Sequence, residues 1–441
     1  MPFFEQVEYV ARTDVGIRRS HNQDAHAIQR ASDEDTWNRQ GHVFLVADGM
    51  GGHAVGEKAS EMAAAAVPMT YIKWVGQEGP ARAIDRAIRE ANQQIHRLGE
   101  SIPEFRGLGT TCTALVMRED GAWIGHVGDS RVYRIRNGHT EQLSFDHSYV
   151  WEMARRLRVP PESIQDVKKN VIVRSLGPDH NVVVDVEGPH PLASGDAYVL
   201  CSDGMSNMIT PEETGTIVST LPLEEAADFL IQLSNLRGGP DNITVVIARI
   251  GEIEASVSTT AMVRPNAMAM LGRRMWHRWN SVFPWPLTLL TAAVILTMTF
   301  LILYLTKSAG ANPVGLLAFA ALLGSLVGFV LQLREARRAR VTVGKVRELR
   351  IYRSYPCPVT PTLVKKYFSM AEQLRDFLKE QQMTADWKAT KLHLDAAIRA
   401  RNDSDLLIAF REICRTLKIL GIPYLQTRRT KDLSFTPKFD V

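Results

Sequence analysis

The chain has 441 residues, 45% hydrophobic and 23% charged, with a formal net charge of +4. That length and apolar content exclude a disordered or fibrous chain and leave room for two or three domains. The charge is divided: residues 1–254 carry 24 Lys and Arg against 36 Asp and Glu, and residues 255–441 carry 28 against 12. An acidic half suits a cation site. A basic half beside apolar segments suits an anionic membrane surface rather than nucleic acid.

In chain order, Glu8 to Thr13 is the first candidate strand. Val43 to Ala47 is an uninterrupted apolar run, as in a strand buried on both faces. It stops on Asp48, then Gly49-Met50-Gly51-Gly52-His53, where glycines let carbonyls approach an ion. Helical spacing follows over Glu57–Val75 and Ala81–Leu98, with Ile84, Ala87, Ile88, Ala91 and Ile95 on one face. Thr110–Met117, Ala122–Val127 and Arg131–Ile135 read as a hairpin series turning at Glu119-Asp120-Gly121. Phe145 to Pro178 is charged and irregular, with a helix-start signal at Val159-Pro160-Pro161-Glu162. Ala197–Cys201 reads as a strand, Pro211–Leu236 as two helices, and Ile243–Ile247 as a last strand.

Four times a carboxylate stands at the mouth of an apolar strand beside Gly or a small polar residue: Asp48, Asp129, Asp203 and Asp241. Strand ends from one sheet can converge on one point, and converging carboxylates repel unless cations neutralise them. Oxygen ligands select Mg²⁺ or Mn²⁺ over zinc. The cysteines Cys112, Cys201, Cys357 and Cys414 form no CxxC pair, which points to a reducing compartment and to no thiol nucleophile. Met1–Glu5 lacks the basic start and apolar core of a secretory signal peptide.

The ordered blocks Gly16-Ile17-Arg18-Arg19-Ser20-His21-Asn22-Gln23-Asp24, Ala47–His53, Gly109-Thr110-Thr111, Val127–Arg131, Asp146-His147-Ser148, Asn170–Gly177, Cys201–Gly204 and Gly239–Thr244 carry a resemblance. Over roughly Val7 to Ile250 the chain resembles the bacterial metal-dependent serine/threonine protein phosphatases, the protein phosphatase type 2C (PPM) family. The resemblance implies an α+β fold: an αββα sandwich of two mainly antiparallel sheets flanked by helices. It implies two Mn²⁺ or Mg²⁺ ions and a third, weaker site. Asp48 would bridge the two ions, the Gly49 carbonyl would bind one, and Asp203 and Asp241 the other. Asp24 would hold waters of the metal site, Asp129 would serve the third ion, and Arg19 would bind substrate phosphate. Gln23 departs from the pattern, which usually has Glu there, and removes a negative charge. Gln23, Asp24 and Asn242 are expected to stand behind the ligands. His53 is expected to make a structural hydrogen bond, and Phe145–Pro178 to be a flap beside the site. The expected partners are phosphorylated proteins, including a Ser/Thr kinase and its targets. The rival reading is a catalytically weak, phosphatase-like sensor or scaffold whose tail binds a partner.

Ile253–Asn266 reads as a linker, leading to a basic segment up to Arg278. Residues 279–306 and 308–333 hold no charged residue, separated by Lys307, and each run exceeds the roughly 20 residues that cross a bilayer. Transmembrane helices are expected at 283–306 and 313–333, with Gly315, Gly324 and Gly328 permitting close packing. Arg273, Arg274 and Arg278 before them, and Arg334, Arg337, Arg338 and Arg340 after them, place both termini in the cytoplasm. The remaining 341–441 reads as a separate helical tail, with helices over Thr360–Gln381, Thr384–Arg401 and Ser404–Leu420, stopped at Gly421-Ile422-Pro423.

Overall fold

A computed structural model of the chain describes residues 7–51, 55–164, 171–251, 285–307, most of 313–327, and 352–430. Two antiparallel sheets form its centre. One has the order β1 (Val7–Asp14), β11 (Ile243–Ile250), β10 (Ala197–Cys201), β7 (Arg131–Arg136), β8 (His139–Gln142) and β12 (Arg353–Pro356). The other has the order β2 (Asp24–Gln29), β3 (His42–Met50), β5 (Cys112–Arg118), β6 (Gly121–Val127) and β9 (Asp185–His190), with β4 (Gly109–Thr110) also paired to β3.

The apolar runs explain the layering. Side chains alternate along a strand. In β3, Val43, Leu45 and Ala47 pack on the helices α2 (Val55–Glu78) and α3 (Pro80–Ser101), while Phe44 and Val46 face the other sheet, in one cluster with Trp37 of α1 (Glu34–Arg39). In β11, Val245 and Ile247 point outward to helices, and Val246 and Ala248 point between the sheets. An uninterrupted apolar strand is therefore one with a buried partner on each face. The expected α+β arrangement of two antiparallel sheets and helices is present.

Several boundaries differ from the expectation. β3 does not stop before Asp48, because Gly49 and Met50 pair with Thr110 and Gly109. The region after Phe145 contains a helix, α4 (Tyr149–Leu157), capped by Ser148 and closed by Arg158 in the left-handed conformation. Pro160-Pro161 starts only a three-residue turn, Pro161–Ser163, because Ile164 is extended.

The larger correction concerns the tail. Residues 344–441 belong to the same compact unit as 1–253, and residues 254–343 form a second unit. The C-terminal segment first adds β12 to the edge of the sheet at β8, in the register Arg353↔Gln142. Three helices follow: Pro361–Glu380, Trp387–Asn402 and Leu406–Thr430. Their apolar faces, including Tyr367, Phe410 and Leu417, share one core with Phe229 and Leu233 of α7 (Leu223–Leu236). An amphipathic helix set cannot bury its apolar face alone, and the outer face of α6 (Pro211–Thr220) and α7 supplies the partner. The last helix also runs past the expected stop and contains Pro423. Gln232 Nε2 donates to the Lys418 carbonyl at 2.7 Å, and Tyr424 and Leu425 are buried beyond it. Packing on α7 thus carries the helix through the proline.

In the second unit, Trp285–Leu305 is a helix without a charged residue. Its side chains are described only at Thr291 and from Ala293 on, and no helix among the described residues is long and apolar enough to cross a membrane. The two complete spans expected there are therefore not found. Residues 313–315 and 317–325 are helical, and a Cβ at Gly315 would lie 2.9 Å from the Phe300 ring. The expected linker, the flanking arginines and His53 lie outside the described residues.

Candidate metal and phosphate site

Asp24 and Asp48 are cross-strand partners of β2 and β3. β3 can pass close beneath α2 only because both crossing points are glycine. A Cβ at Gly49 would sit 2.2 Å from the Gly56 carbonyl oxygen. Asp129 follows Gly128, whose φ of 117° makes the turn out of β6. Asp203 opens the four-residue helix α5 (Asp203–Ser206) at the end of β10, and Asp241 precedes β11. Five strand-end carboxylates therefore come together, but from both sheets rather than the one expected: Asp24 and Asp48 from one, Asp203 and Asp241 from the other, and Asp129 between β6 and β7, which join them.

Their electrostatics record that crowding. Burial, followed by Asp24, Asp203, Asp129 and Asp241 as like charges, raises the Asp48 carboxyl well above the usual range. Burial, opposed by hydrogen bonds from Ser202 and Thr244 and reinforced by Asp203 and Asp241, lifts Asp24 to about 7. Burial and then Asp203 lift Asp129 to about 8, and burial and then Asp241 lift Asp203 to about 6. Asp24 Oδ1, Asp129 Oδ1 and Asp203 Oδ1 are buried with no hydrogen-bond partner. An acceptor left bare in the interior is costly, and cations in the cluster would satisfy all three. Among the described residues no three His, Cys, Asp or Glu side chains converge on one ion by themselves. Mg²⁺ binds through one or two carboxylates and completes its shell with water. The residues present fit the expected ions.

The surrounding residues hold the cluster in place. Ser202 Oγ donates to Asp24 Oδ2 at 2.7 Å and accepts from the Thr244 amide. Asn242 is a clamp. Its Oδ1 accepts from the Gln23 amide, and its Nδ2 donates to the Val15 and His21 carbonyls, tying the Arg19 loop to β11. Gln23 Nε2 donates to the Gly51 carbonyl at 3.3 Å, so the neutral amide braces the glycine loop. Arg19 is exposed, and its Nη2 donates to Asp241 Oδ2 at 2.8 Å.

Arg19, Asp129, Asp203 and Asp241 line a cleft of about 630 Å³. The cleft also shows wall residues that the sequence-predicted site did not include. Arg131 lines it, held through Nε and Nη2 by Asp146. Trp151 of α4, Glu162, and Arg353 and Tyr355 of β12 form further wall. Arg131 closes the Val127–Arg131 block and Glu162 the Val159–Glu162 helix-start signal, though neither pattern places them at the cleft. No local signal marks Arg353, which lies more than one hundred residues beyond Asp241 in sequence.

Comparison with known proteins agrees with this geometry. Residues 17–236 match the family described as Protein phosphatase 2C. The chain is 37% identical over 257 residues to the protein phosphatase PhpP of Streptococcus pneumoniae, covering 55% of this chain and 97% of that one. It is 36% identical over 244 residues to the serine/threonine phosphatase stp of Listeria innocua, covering 54% and 93%. Its fold is similar to the Mycobacterium tuberculosis serine/threonine phosphatase PstP/Ppp, with a TM-score of 0.50, 32% identity, and 56% and 99% coverage. The serine/threonine phosphatase of S. agalactiae is similar at the same TM-score and identity, with 55% and 99% coverage. With its carboxylate cluster and cleft, the chain belongs to the protein phosphatase 2C family of metal-dependent serine/threonine phosphatases.

Proposed function

We propose that the chain is a membrane-anchored phosphatase that hydrolyses phosphoserine and phosphothreonine in cytosolic proteins at a two-ion Mn²⁺ or Mg²⁺ site. The observation that carries the catalytic reading is the cluster of strand-end carboxylates, three of them with bare, buried oxygens, beside a cleft edged by Arg19. Asp48, the Gly49 carbonyl, Asp203 and Asp241 would hold the two ions, and Asp129 a third. When bound, the ions supply a water of lowered pKa and offset charge that develops on the phosphoryl group. Arg19 is exposed and tethered to Asp241 by one Nη, which leaves donors free to orient a phosphate by a charge-assisted bond. Asp24, fixed through Oδ2 by Ser202, presents Oδ1 to hold and orient water. The clamp at Asn242 keeps the Arg19 loop in register with these groups.

The membrane reading is supported by the second unit. Ile295, Met298, Ile302, Leu305, Leu317, Phe319 and Leu322 each expose about half or more of their surface. Lipid removes the cost of leaving such surface in water, about 25 cal/mol per Å². The two chain segments flanking the apolar region pack into one unit, so an even number of crossings fits. The direct test of the catalytic reading is Asp48→Ala. Turnover of an aryl phosphate should require added Mn²⁺ or Mg²⁺, and the variant should lose at least about two orders of magnitude in kcat. Calorimetry should show weakened Mn²⁺ binding in the same variant. Full activity of metal-free Asp48→Ala protein would refute the assignment.

A further inference from the structure

Two residues of the cleft wall come from the far end of the chain. Arg353 and Tyr355 lie on β12, outside residues 17–236 that match the family. They are alternate residues of one strand and so share a face. Pairing of β12 with β8 places them beside α4 and the turn at Glu162.

Arg353 is gripped on several sides. Both of its terminal nitrogens bond the Glu162 carboxylate, Nη2 to Oε2 at 2.6 Å. Its guanidinium carbon lies 5.6 Å from the Trp151 ring centre and 5.3 Å from that of Tyr355. The two partners differ in exposure. The Arg353 side chain is 22% exposed, and that of Glu162 is 64% exposed. The cation is therefore held by aromatic walls, while its carboxylate partner stands mostly in water, where an ion pair is weak and screened. A second carboxylate in the cleft can take Glu162's place on the planar fork, which accepts it bidentately.

We propose that Arg353 is a specificity-determining residue, exchanging Glu162 for a carboxylate of the substrate chain. The cleft thereby prefers phosphoserine or phosphothreonine flanked by Asp or Glu. The inference rests on the phosphoprotein reading above. The cleft wall otherwise carries the carboxylates Asp129, Asp146, Glu162, Asp203 and Asp241, which repel an acidic peptide. A fixed cation in the wall thus bears most strongly on acidic substrates. Arg19 and Arg353 line the same cleft, so phosphate and flanking carboxylate engage different arginines.

The test uses the full-length protein with Mn²⁺ and three substrates: an aryl phosphate, a phosphothreonine peptide flanked by Asp, and the same peptide with Asn in place of Asp. The readout is the ratio of kcat/KM for the Asp peptide over the Asn peptide. Arg353→Ala should lower that ratio about tenfold, equivalent to about 1.4 kcal/mol, through KM. Arg353→Lys should restore part of it. Glu162→Gln should raise the ratio by freeing the guanidinium. An unchanged ratio in Arg353→Ala and Glu162→Gln overturns the proposal. So does an equal loss on all three substrates, which would make Arg353 a support for the turn only. Should Arg353→Ala fail to fold, Glu162→Gln decides alone: a raised ratio supports the exchange and an unchanged one overturns it. Absence of Mn²⁺-dependent turnover of the aryl phosphate by the unmodified chain refutes the phosphatase reading itself, and this inference with it.

Discussion

Arg19 and Arg131 both line the cleft, and their surroundings assign them different work. Arg131 is fixed by Asp146 and by the Tyr133 hydroxyl, so its donors are largely committed. Arg19 has one tether and an exposed side chain. Arg19→Ala should raise KM strongly with a smaller change in Mn²⁺ affinity. Arg19→Lys should recover charge without the fork, and hence only part of the binding. Steady-state kinetics beside a metal titration checks both, and an unchanged KM would pass the phosphate role to Arg131 or Arg18. A second residue sets an acid limit. His190 is buried with both ring nitrogens unbonded, and burial, then Arg134 and Arg136, hold its pKa down to about 4. The unfolded chain titrates near 6.5. The fold keeps this contribution above pH 6.5 and loses it as pH falls toward 4, because the unfolded chain takes up the proton first. His126, held down to about 3 by burial and then His147, acts with the same sign. With Mn²⁺ present, Tm should be flat above about pH 7 and fall below 6.5, and His190→Leu should make the fall shallower. A slope unchanged by that substitution would leave His126 and the carboxylates as its cause.

At the scale of elements, the C-terminal helices are part of the phosphatase core rather than an appendage. Phe410 is fully buried, 5.0 Å from the Tyr367 ring, in the core that α7 shares. Phe410→Ala should cost about 3–5 kcal/mol, read by urea denaturation, and should destabilise the catalytic half in the same transition. Two separate transitions would show instead that the helices fold independently. Ion pairs also cross this contact: Arg415 with Glu225, Lys418 with Asp228, and Arg429 with Asp14. All are partly exposed, so they select the register of the helix more than they stabilise it. The helix pattern of this segment was legible in its apolar spacing. Its docking was not, because an amphipathic face states that it has a partner and not which one.

At the scale of the whole molecule, the packing of 1–253 with 344–441 bears on topology. Two crossings with basic outer flanks would leave both segments on the cytoplasmic side, since those arginines resist translocation. The expected outcome concerns a membrane-impermeant thiol reagent applied to intact cells. Ser308→Cys should label, and Ser256→Cys and Ser434→Cys should label only after lysis. The four native cysteines are buried and give little background. Labelling of Ser434→Cys from outside while Ser256→Cys stays protected would refute an even number of crossings and, with it, the packed unit in the cell.

What the chain's order determined by itself is the chemistry. A carboxylate at the mouth of an apolar strand is a local pattern, and Asp48, Asp129, Asp203 and Asp241 could each be read where they stand. Their convergence was expected at the end of one sheet, whereas the structure gathers them from two, because the packing of the sheets and not the strand pattern sets which ends meet. Tertiary structure alone decided what encloses them. β12 reaches the cleft through pairing with β8 across some two hundred residues, and only that pairing brings Arg353 to Glu162. The helix Leu406–Thr430 runs through Pro423 because α7 offers a donor and a buried seat, against a local signal to stop. Local stereochemistry and periodicity are written in adjacent residues. The choice of a distant partner depends on which apolar faces and unpaired strand edges remain once the rest of the chain has folded.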